Sequence, residues 1–570
     1  MSDDHYVDIH NGKLVLFDGK SFLPTNANSI FGTNSQNEFV IDTLVGILHL
    51  SSNRVTSTGK TGMIKKEFTP FLKRYTHLPK FLIKTKKVTS CADQCVIVKI
   101  ESIKDGVIHG CVSEYIGEMG SQEIDIMSLK MLASSHWSKK LDKQFAQLAT
   151  TDLTPQRTIL SNAINKHIVS VDPYGCEDID DALHCVKTDD GYEVGIHIAD
   201  VSSYIEVGSQ FDNELAKRVE SVYFDNSKLA QLNMIPNELS IKCMSLKEGN
   251  PKRAFSVFLQ LDANMDIRNV RFEKTLIVVN KNMSYDEYTE QLKSNEKLTL
   301  LYNVGEHLKK NISNAFSPHD AYDTHQMVAV FMIYANKYVA EKINNYDPTN
   351  VLLRTQHMEQ TQQFTENIDK CLIEKYNVST LERAYYKRGS ENGGHSGMNL
   401  QCYTHFTSPI RRYADILVHR QLLNVLGGNM IVKILTKTLF LMNTYSRLYK
   451  QIQRYSHVID VIYSKNFENT VLETFAHVVS IRNTNNSVRL YIPELGIDHD
   501  VQLVSRNFEQ LFEVDTTKNS ITIKENNCNN EHTNKLVIKL FQQVKVKIAI
   551  TKKSFEKIHV AIIEPNLILT

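Results

Sequence analysis

The sequence predicts an α+β chain in which a central mixed domain is flanked on both sides by small OB-type β-barrels. Three observations carry this reading. Short apolar runs separated by turn residues fill 38–112, helical periodicity dominates 284–466, and from Thr470 the pattern returns to short alternating strands. At 570 residues the chain exceeds what one hydrophobic core usually holds, so several domains are expected.

In chain order, residues 1–37 are rich in Asn, Ser and Gly and read as a loosely ordered segment, with a hairpin around Asn11-Gly12 or Asp18-Gly19. A first barrel is expected over 38–90, from runs such as Phe39-Val40-Ile41 and Leu44-Val45-Gly46-Ile47-Leu48. A second barrel and a linker follow over 91–153, with strands either side of a Lys104-Asp105-Gly106 turn and a helix over 121–141. The central domain is placed at 154–467. Strands are expected at 167–171, 182–186 and 192–198, and a capping box Ser284 to Glu287 starts a helix reaching 312. Further helices are expected over 323–344, 359–376, from Ser408-Pro409 through 426, and over 431–466 with a bend. Residues 468–570 offer about five strands, at 473–481, 487–492, 521–524, 535–541 and 544–548, the count of an OB barrel, with 526–534 as a mobile loop.

Composition excludes some classes. No run of about 18 apolar residues exists and the acidic start, Met1-Ser2-Asp3-Asp4-His5, is unlike a signal peptide, so a cytoplasmic protein without membrane association is expected. Nine scattered cysteines suit a reducing compartment, and Cys91 and Cys95 form an incidental pair rather than a zinc site. A net charge of +1 leaves nucleic-acid binding to local patches. One patch stands out. Eight cations between Lys65 and Lys87 meet only Glu67 and alternate with Phe68, Phe71, Tyr75 and Phe81. Cations that track a backbone and rings that stack bases make Lys65, Lys66, Phe68, Lys73 and Arg74 candidate RNA contacts. The alternative is a solvated basic face over a barrel core. The single tryptophan, Trp137, fits a packing anchor as well as an RNA platform.

The chemistry concentrates in two stretches. Asp172, Asp178, Asp180 and Asp181 fall within one short loop, where mutual repulsion calls for divalent cations. A calcium hand from Asp178 would need glycine and glutamate where the chain has Leu183 and Asp189, so that motif is excluded. The second stretch runs from Tyr403 to Asp415 and is expected to set Arg411 and Arg412 in the first turn of a helix, where the dipole favours an anion and arginine matches phosphate. Pairing with surface carboxylates is the open alternative.

Together with His197-Ile198-Ala199-Asp200-Val201-Ser202, Ser221-Val222-Tyr223-Phe224 and Gly394-His395-Ser396-Gly397-Met398, these stretches resemble the RNase II family of exoribonucleases, which includes RNase R and the exosome's catalytic nuclease subunit. The resemblance is strong over 171–466, and the flanks follow that family's order of two cold-shock barrels before and one S-one-type barrel after. It implies a hydrolytic 3′-to-5′ exoribonuclease acting on single-stranded RNA and releasing nucleoside 5′-monophosphates. Asp172, Asp178, Asp180 and Asp181 would hold magnesium, or manganese, and Arg411 would be the catalytic arginine. Tyr223 would contact the 3′-terminal nucleotide, with simple packing as its alternative, and Arg412 and Tyr403 are expected on the RNA path. Two departures stand out: Ala329-Val330 replaces a Glu-Glu pair of relatives, and Asp225 replaces a proline. A catalytically weakened RNA-binding scaffold is therefore the rival reading. A monomer is expected; docking to an exosome is not supported, since no endonuclease domain like that of the exosome subunit precedes the barrels.

Overall fold

A computed structural model describes residues 6–564 except 11–12, 18–30, 34–38, 42, 53–55, 59–62, 73–77, 87–91, 134–157, 160–166, 225–230, 317–320, 358–367, 381–382, 390–393, 466, 468–470, 483–486, 504–509, 516–519, 526–534 and 553–556. The expectations for Lys73, Arg74, Trp137, Asp225 and the 526–534 loop therefore lie outside the described residues. Strands β1 (Tyr6–His10), β2 (Lys13–Phe17), β3 (Phe31–Thr33) and β4 (Phe39–Ile41) form a sheet in the order β1-β2-β4-β3. The stretch expected to be loose thus carries a sheet, and β1 and β2 pair antiparallel with His10 opposite Lys13, while Asn11-Gly12 lies outside the described residues.

Next come β5 (Thr43–Leu48), β6 (Thr56–Thr58), β7 (Met63–Pro70), β8 (Phe81–Lys86), β9 (Gln94–Lys104) and β10 (Val107–Glu118). They pair in the order β5-β9-β10-β8-β7-β6, and β5 also pairs with β7, so five strands close on themselves. The expected boundary at residue 90 falls inside this closed sheet. Asp105 and Gly106 both take positive φ, +50° and +68°, as a two-residue hairpin between β9 and β10 requires. Helix α1 (Gln122–Ala133) follows.

The central unit is built on a seven-stranded sheet. Its strands are β11 (Thr158–Ile159), β12 (Val169–Asp172), β13 (Asp181–Thr188), β14 (Gly191–Ala199), then after helix α2 (Gln210–Arg218), β15 (Pro251–Leu261), β16 (Ile267–Val278) and β17 (Lys281–Ser284). Their order is β11-β16-β15-β14-β13-β12-β17, antiparallel except at its two ends. Ser284 and Glu287 make the expected capping box on α3 (Tyr285–Gln291), but the helix stops there, and α4 (Glu296–Lys309) starts on its own cap, Asn295. Asp323 caps α5 (Thr324–Tyr346), which packs against α4 and β14. After β18 (Leu352–Thr355), α6 (Lys370–Thr380) and β19 (Tyr385–Arg388) come two long helices, α7 (Tyr413–Leu426) and α8 (Thr436–Ser464). In α7 Ile416 and Leu422 are buried as expected, whereas Leu426 is exposed. Helix α8 runs uninterrupted, and the expected bend is replaced by irregular chain over 429–435. One continuous core joins the closed sheet, the central sheet and α8.

The C-terminal strands are β20 (Val471–Arg482), β21 (Ser487–Ile492), β22 (Ile497–Gln502), β23 (Gln510–Asp515), β24 (Ser520–Glu525), β25 (Lys535–Lys539), β26 (Gln543–Ile550) and β27 (Ile558–Glu564). A five-stranded sheet forms, in the order β22-β21-β20-β26-β27, with its own core. The alternation at 521–524 and 535–541 does mark strands, but β24 pairs with β23 on one side and β25 on the other in a separate three-stranded sheet. Alternation reveals a strand without naming its partner. Among the described residues no helix is long and apolar enough to cross a membrane.

Candidate active site

The acidic stretch is the connection between β12 and β13. Asp172 ends β12, Asp181 begins β13, and Asp178 and Asp180 lie between. Gly175 sits at φ +79°, a left-handed turn position suited to glycine, and Cys176 N–H donates to the Pro173 carbonyl at 3.1 Å. Beyond the turn the backbone is bonded to the fold behind it. The Asp180 carbonyl accepts from Ala199 N–H at 2.8 Å and the Ile179 carbonyl from Leu246 N–H at 3.0 Å.

The arginine block meets this loop. Ile410 N–H donates to Asp180 Oδ1 at 2.9 Å, and Arg411 Nε lies 3.5 Å from Asp180 Oδ2. Arg411 Nη2 also donates to Ser408 Oγ at 3.0 Å, which fixes the guanidinium from its other side. The Arg411 side chain is 43% exposed against 7% for Asp180, so the cation covers the acid from the solvent side. A second segment is tied to both. Ser221 N–H donates to the Arg411 carbonyl at 2.9 Å, Tyr413 N–H to the Val219 carbonyl at 2.8 Å, and Glu220 bridges to Arg412. The same segment delivers Tyr223, whose hydroxyl donates to Asp178 Oδ2 at 3.1 Å.

Several expected contacts turn inward. Helix α7 begins at Tyr413, so Arg411 lies before it, in a turn closed by Arg411 and Arg412 N–H on the Ser408 carbonyl. Arg412 Nε and Nη2 donate to both oxygens of Asp415, at 2.9 and 2.8 Å, which commits its fork to a buried carboxylate rather than to phosphate. Tyr403 is 4% exposed, with its hydroxyl accepting from Asn336 Nδ2 at 3.0 Å. On β7 the two-residue period sends Lys66 and Phe68 to the same inner face. Phe68 packs edge-on against Phe81 at 5.8 Å, Phe71 is buried too, and Lys66 Nζ donates to the Leu50 and Ser52 carbonyls. Only Lys65, of the named contacts described there, keeps partial exposure. Lys80 and Lys84 are engaged by Glu67 and Glu101, each at 2.8 Å.

Residues the sequence did not single out complete the frame. Asp212 receives Arg420 at 2.9 Å and the Tyr413 hydroxyl at 3.0 Å, locking α7 to α2, and Ser408 N–H donates to Asp415 at 2.7 Å. The spacing of Arg412 and Asp415, three apart, was a readable signal for their pair. Nothing local foretold Asp212 and Arg420, which are separated by most of the central unit.

The electrostatics of the loop follow from burial. Burial raises Asp172 to about 6, helped by the charge of Asp178, and raises Asp180 to about 8. Asp181 is pushed well above the usual carboxylate range by burial, then by Asp172 and Asp180. Arg411 is the cation that opposes the rise in all three. Asp172 Oδ2 is buried without a hydrogen-bond partner. Among the described residues no three His, Cys, Asp or Glu side chains stand as a ready-made metal cluster. The orphaned oxygen, the excess of buried acid over cation and the all-oxygen donor set nonetheless fit a hard divalent ion.

Residues 161–428 match the family model described as RNB domain. The central unit is similar to the RNB family. The aspartate loop, Arg411 and Tyr223 all lie within the matched residues. The chain is 26% identical over 573 residues to the probable exosome complex exonuclease RRP44 of Caenorhabditis elegans, a match covering 86% of this chain and 58% of that protein. It thus spans less than two thirds of the length of that relative. Among solved structures it is similar to Mycoplasma genitalium RNase R in complex with ribose methylated single-stranded RNA, at 16% identity and a TM-score of 0.70, with 98% of this chain and 95% of that one covered. It is also similar to yeast Ssd1, a pseudonuclease, at 16% identity and a TM-score of 0.66, with 93% and 84% covered. The resemblance read from the motifs is matched by these relatives, and the mixed α+β fold is that of RNase R.

Proposed function

We propose that the chain hydrolyses single-stranded RNA from its 3′ end to nucleoside 5′-monophosphates, with magnesium, or manganese in its place, held by Asp172, Asp178, Asp180 and Asp181. The observation that carries this reading is the convergence of Arg411, Ile410 N–H and Tyr223 on Asp178 and Asp180. When bound, the metal supplies an activated water and charge neutralisation at the phosphate. The chain's own residues do the rest. Arg411 offsets charge gathering on the phosphoryl oxygens, Ile410 N–H holds Asp180 in place, and the Tyr223 hydroxyl orients Asp178 while its ring borders the seat of the terminal nucleotide. We read the closed β5–β10 sheet as a cold-shock-like OB barrel and the β20–β22, β26 and β27 sheet as the S-one-type barrel, both lining the approach of RNA. Full chain, magnesium and 5′-labelled single-stranded RNA should give progressive shortening from the 3′ end. Intact RNA, or cutting of a circular RNA, overturns the proposal.

A second reading, an RNA-binding protein on a retired nuclease fold, has one observation in its favour: Ala329 and Val330 on α5 offer no carboxylate, and Val330 is fully buried. Asp180→Asn separates the two. It should abolish hydrolysis and leave RNA binding intact if the site is active, whereas a scaffold shows no hydrolysis in either form.

A further inference from the structure

Ser245 lies outside every stretch that the sequence singled out, yet it clamps the acidic loop. It is fully buried, and its hydroxyl has two partners on that loop, one on each side of Asp178. Ser245 Oγ accepts from Ile179 N–H at 3.0 Å and donates to the Glu177 carbonyl at 2.8 Å. One hydroxyl therefore spans the peptide units that flank Asp178 and precede Asp180. The next residue continues the grip, since Leu246 N–H donates to the Ile179 carbonyl at 3.0 Å.

The clamp is itself held rigid. Ser245 follows a π-helical turn over Ser240–Met244 and donates its own N–H to the Ser240 carbonyl at 2.7 Å. The carbonyls of that turn are bonded in their own right: Lys242 accepts from Lys252 Nζ at 3.0 Å and Cys243 from the Tyr204 hydroxyl at 3.1 Å. A wider turn of this kind places a residue off the ordinary helical path and is frequent at functional sites. On the far side Asn282 Nδ2 donates to both the Leu246 carbonyl at 3.1 Å and Ser170 Oγ at 2.8 Å, joining the clamp to the strand that carries Asp172.

We propose that Ser245 is a positioning residue for the divalent cation, setting the backbone from which Asp178 and Asp180 reach it. The inference rests on the proposed metal site. Hydroxyl loss frees the Glu177 carbonyl and the Ile179 N–H, so the two acids no longer share one fixed backbone frame. Outer partners of metal ligands typically change affinity about 10- to 100-fold when removed.

The test is Mn2+ binding to the metal-free full chain, followed by the electron paramagnetic resonance of free Mn2+, so it needs no activity. Ser245→Ala should weaken Mn2+ about 10- to 100-fold, and Ser245→Cys, nearly isosteric but a poor hydrogen-bonding group, should fall between. Ser128→Ala is the control: that buried hydroxyl donates to the Ile124 carbonyl at 2.6 Å in α1, away from the acids, and its loss should leave Mn2+ affinity unchanged. A folded Ser245→Ala with wild-type affinity overturns the proposal. Should the alanine variant not fold, the cysteine variant decides on the same criterion, and failure of both to fold assigns Ser245 to the core and overturns it as well. A wild-type chain that binds no Mn2+ refutes the metal site itself, a result distinct from binding that ignores Ser245.

Discussion

Asp180→Asn should stabilise the metal-free protein while destroying its activity. The carboxyl is 6% exposed and raised to about 8 in the fold, against an unfolded value of about 3.9. Because the folded value is the higher one, its support for the native state is complete below about pH 4 and is lost as pH rises toward 8. Relative to that acid limit, the loss at pH 7 is about 4 kcal/mol. Asparagine is isosteric and stays neutral, and its Oδ1 still accepts from Ile410 N–H. The raised value is already net of the opposing Arg411 charge, so the variant recovers up to about 4 kcal/mol. For a unit of this size that is a rise in Tm of up to about 16 °C. Scanning calorimetry in chelator at pH 8 and at pH 5 measures it: the rise should be present at pH 8 and shrink at pH 5. Magnesium should then stabilise the wild-type chain and not the variant. A variant no more stable than wild type at pH 8 without metal would refute the claim that burial, uncompensated by cations, strains this loop.

Arg411→Ala should lower kcat about 100- to 1,000-fold with little change in KM for RNA, measured by single-turnover and steady-state hydrolysis. Arg412→Ala should act on the fold instead, because it leaves Asp415 buried without its cation; a loss of about 3–5 kcal/mol in urea unfolding is expected, and a stable but RNA-blind variant would contradict it. Phe68→Ala should cost about 3–5 kcal/mol through the cavity left beside Phe81, while RNA affinity of the folded fraction and its dependence on salt stay as they are in fluorescence anisotropy.

What the sequence displayed plainly was local. The aspartate spacing, the Ser284–Glu287 box and the Asp105-Gly106 hairpin depend on neighbours within a few residues, and each stands where the pattern put it. The basic stretch misled for a physical reason. Along β7 a cation and a ring two apart share a face, so Lys66 and Phe68 either both meet solvent or both turn inward, and composition cannot choose. Closure of β5 onto β7 chose the interior. Arg412 misled differently: the proline at 409 suggested an earlier helix start, but pairing of 219–221 with 411–413 holds Arg412 extended and turns its fork onto Asp415. Ser245 carried no local signal, since its partners lie 66 and 68 residues away.

The energetics of the loop bear on whether the site works. Asp172, Asp180 and Asp181 are all raised by burial, Asp172 and Asp181 partly by their acidic neighbours, and one half-exposed arginine opposes them. In the metal-free fold such an arrangement is destabilising at neutral pH by several kcal/mol, a large part of a domain's usual margin of about 5–15 kcal/mol. A scaffold that only binds RNA gains nothing from it, since carboxylates repel phosphate. A cation that binds the folded state alone reverses the balance by mass action, restoring about 3 kcal/mol at a hundred times its Kd. Val330 points the same way, because it is buried in the α5 core, where a carboxylate would itself need a partner. The half-buried Ala329 is then the one of the two positions able to carry an added acid, and Ala329→Glu, assayed by magnesium titration of hydrolysis, should lower the magnesium needed for half-maximal rate. An unchanged or higher requirement would show that the four aspartates already complete the site.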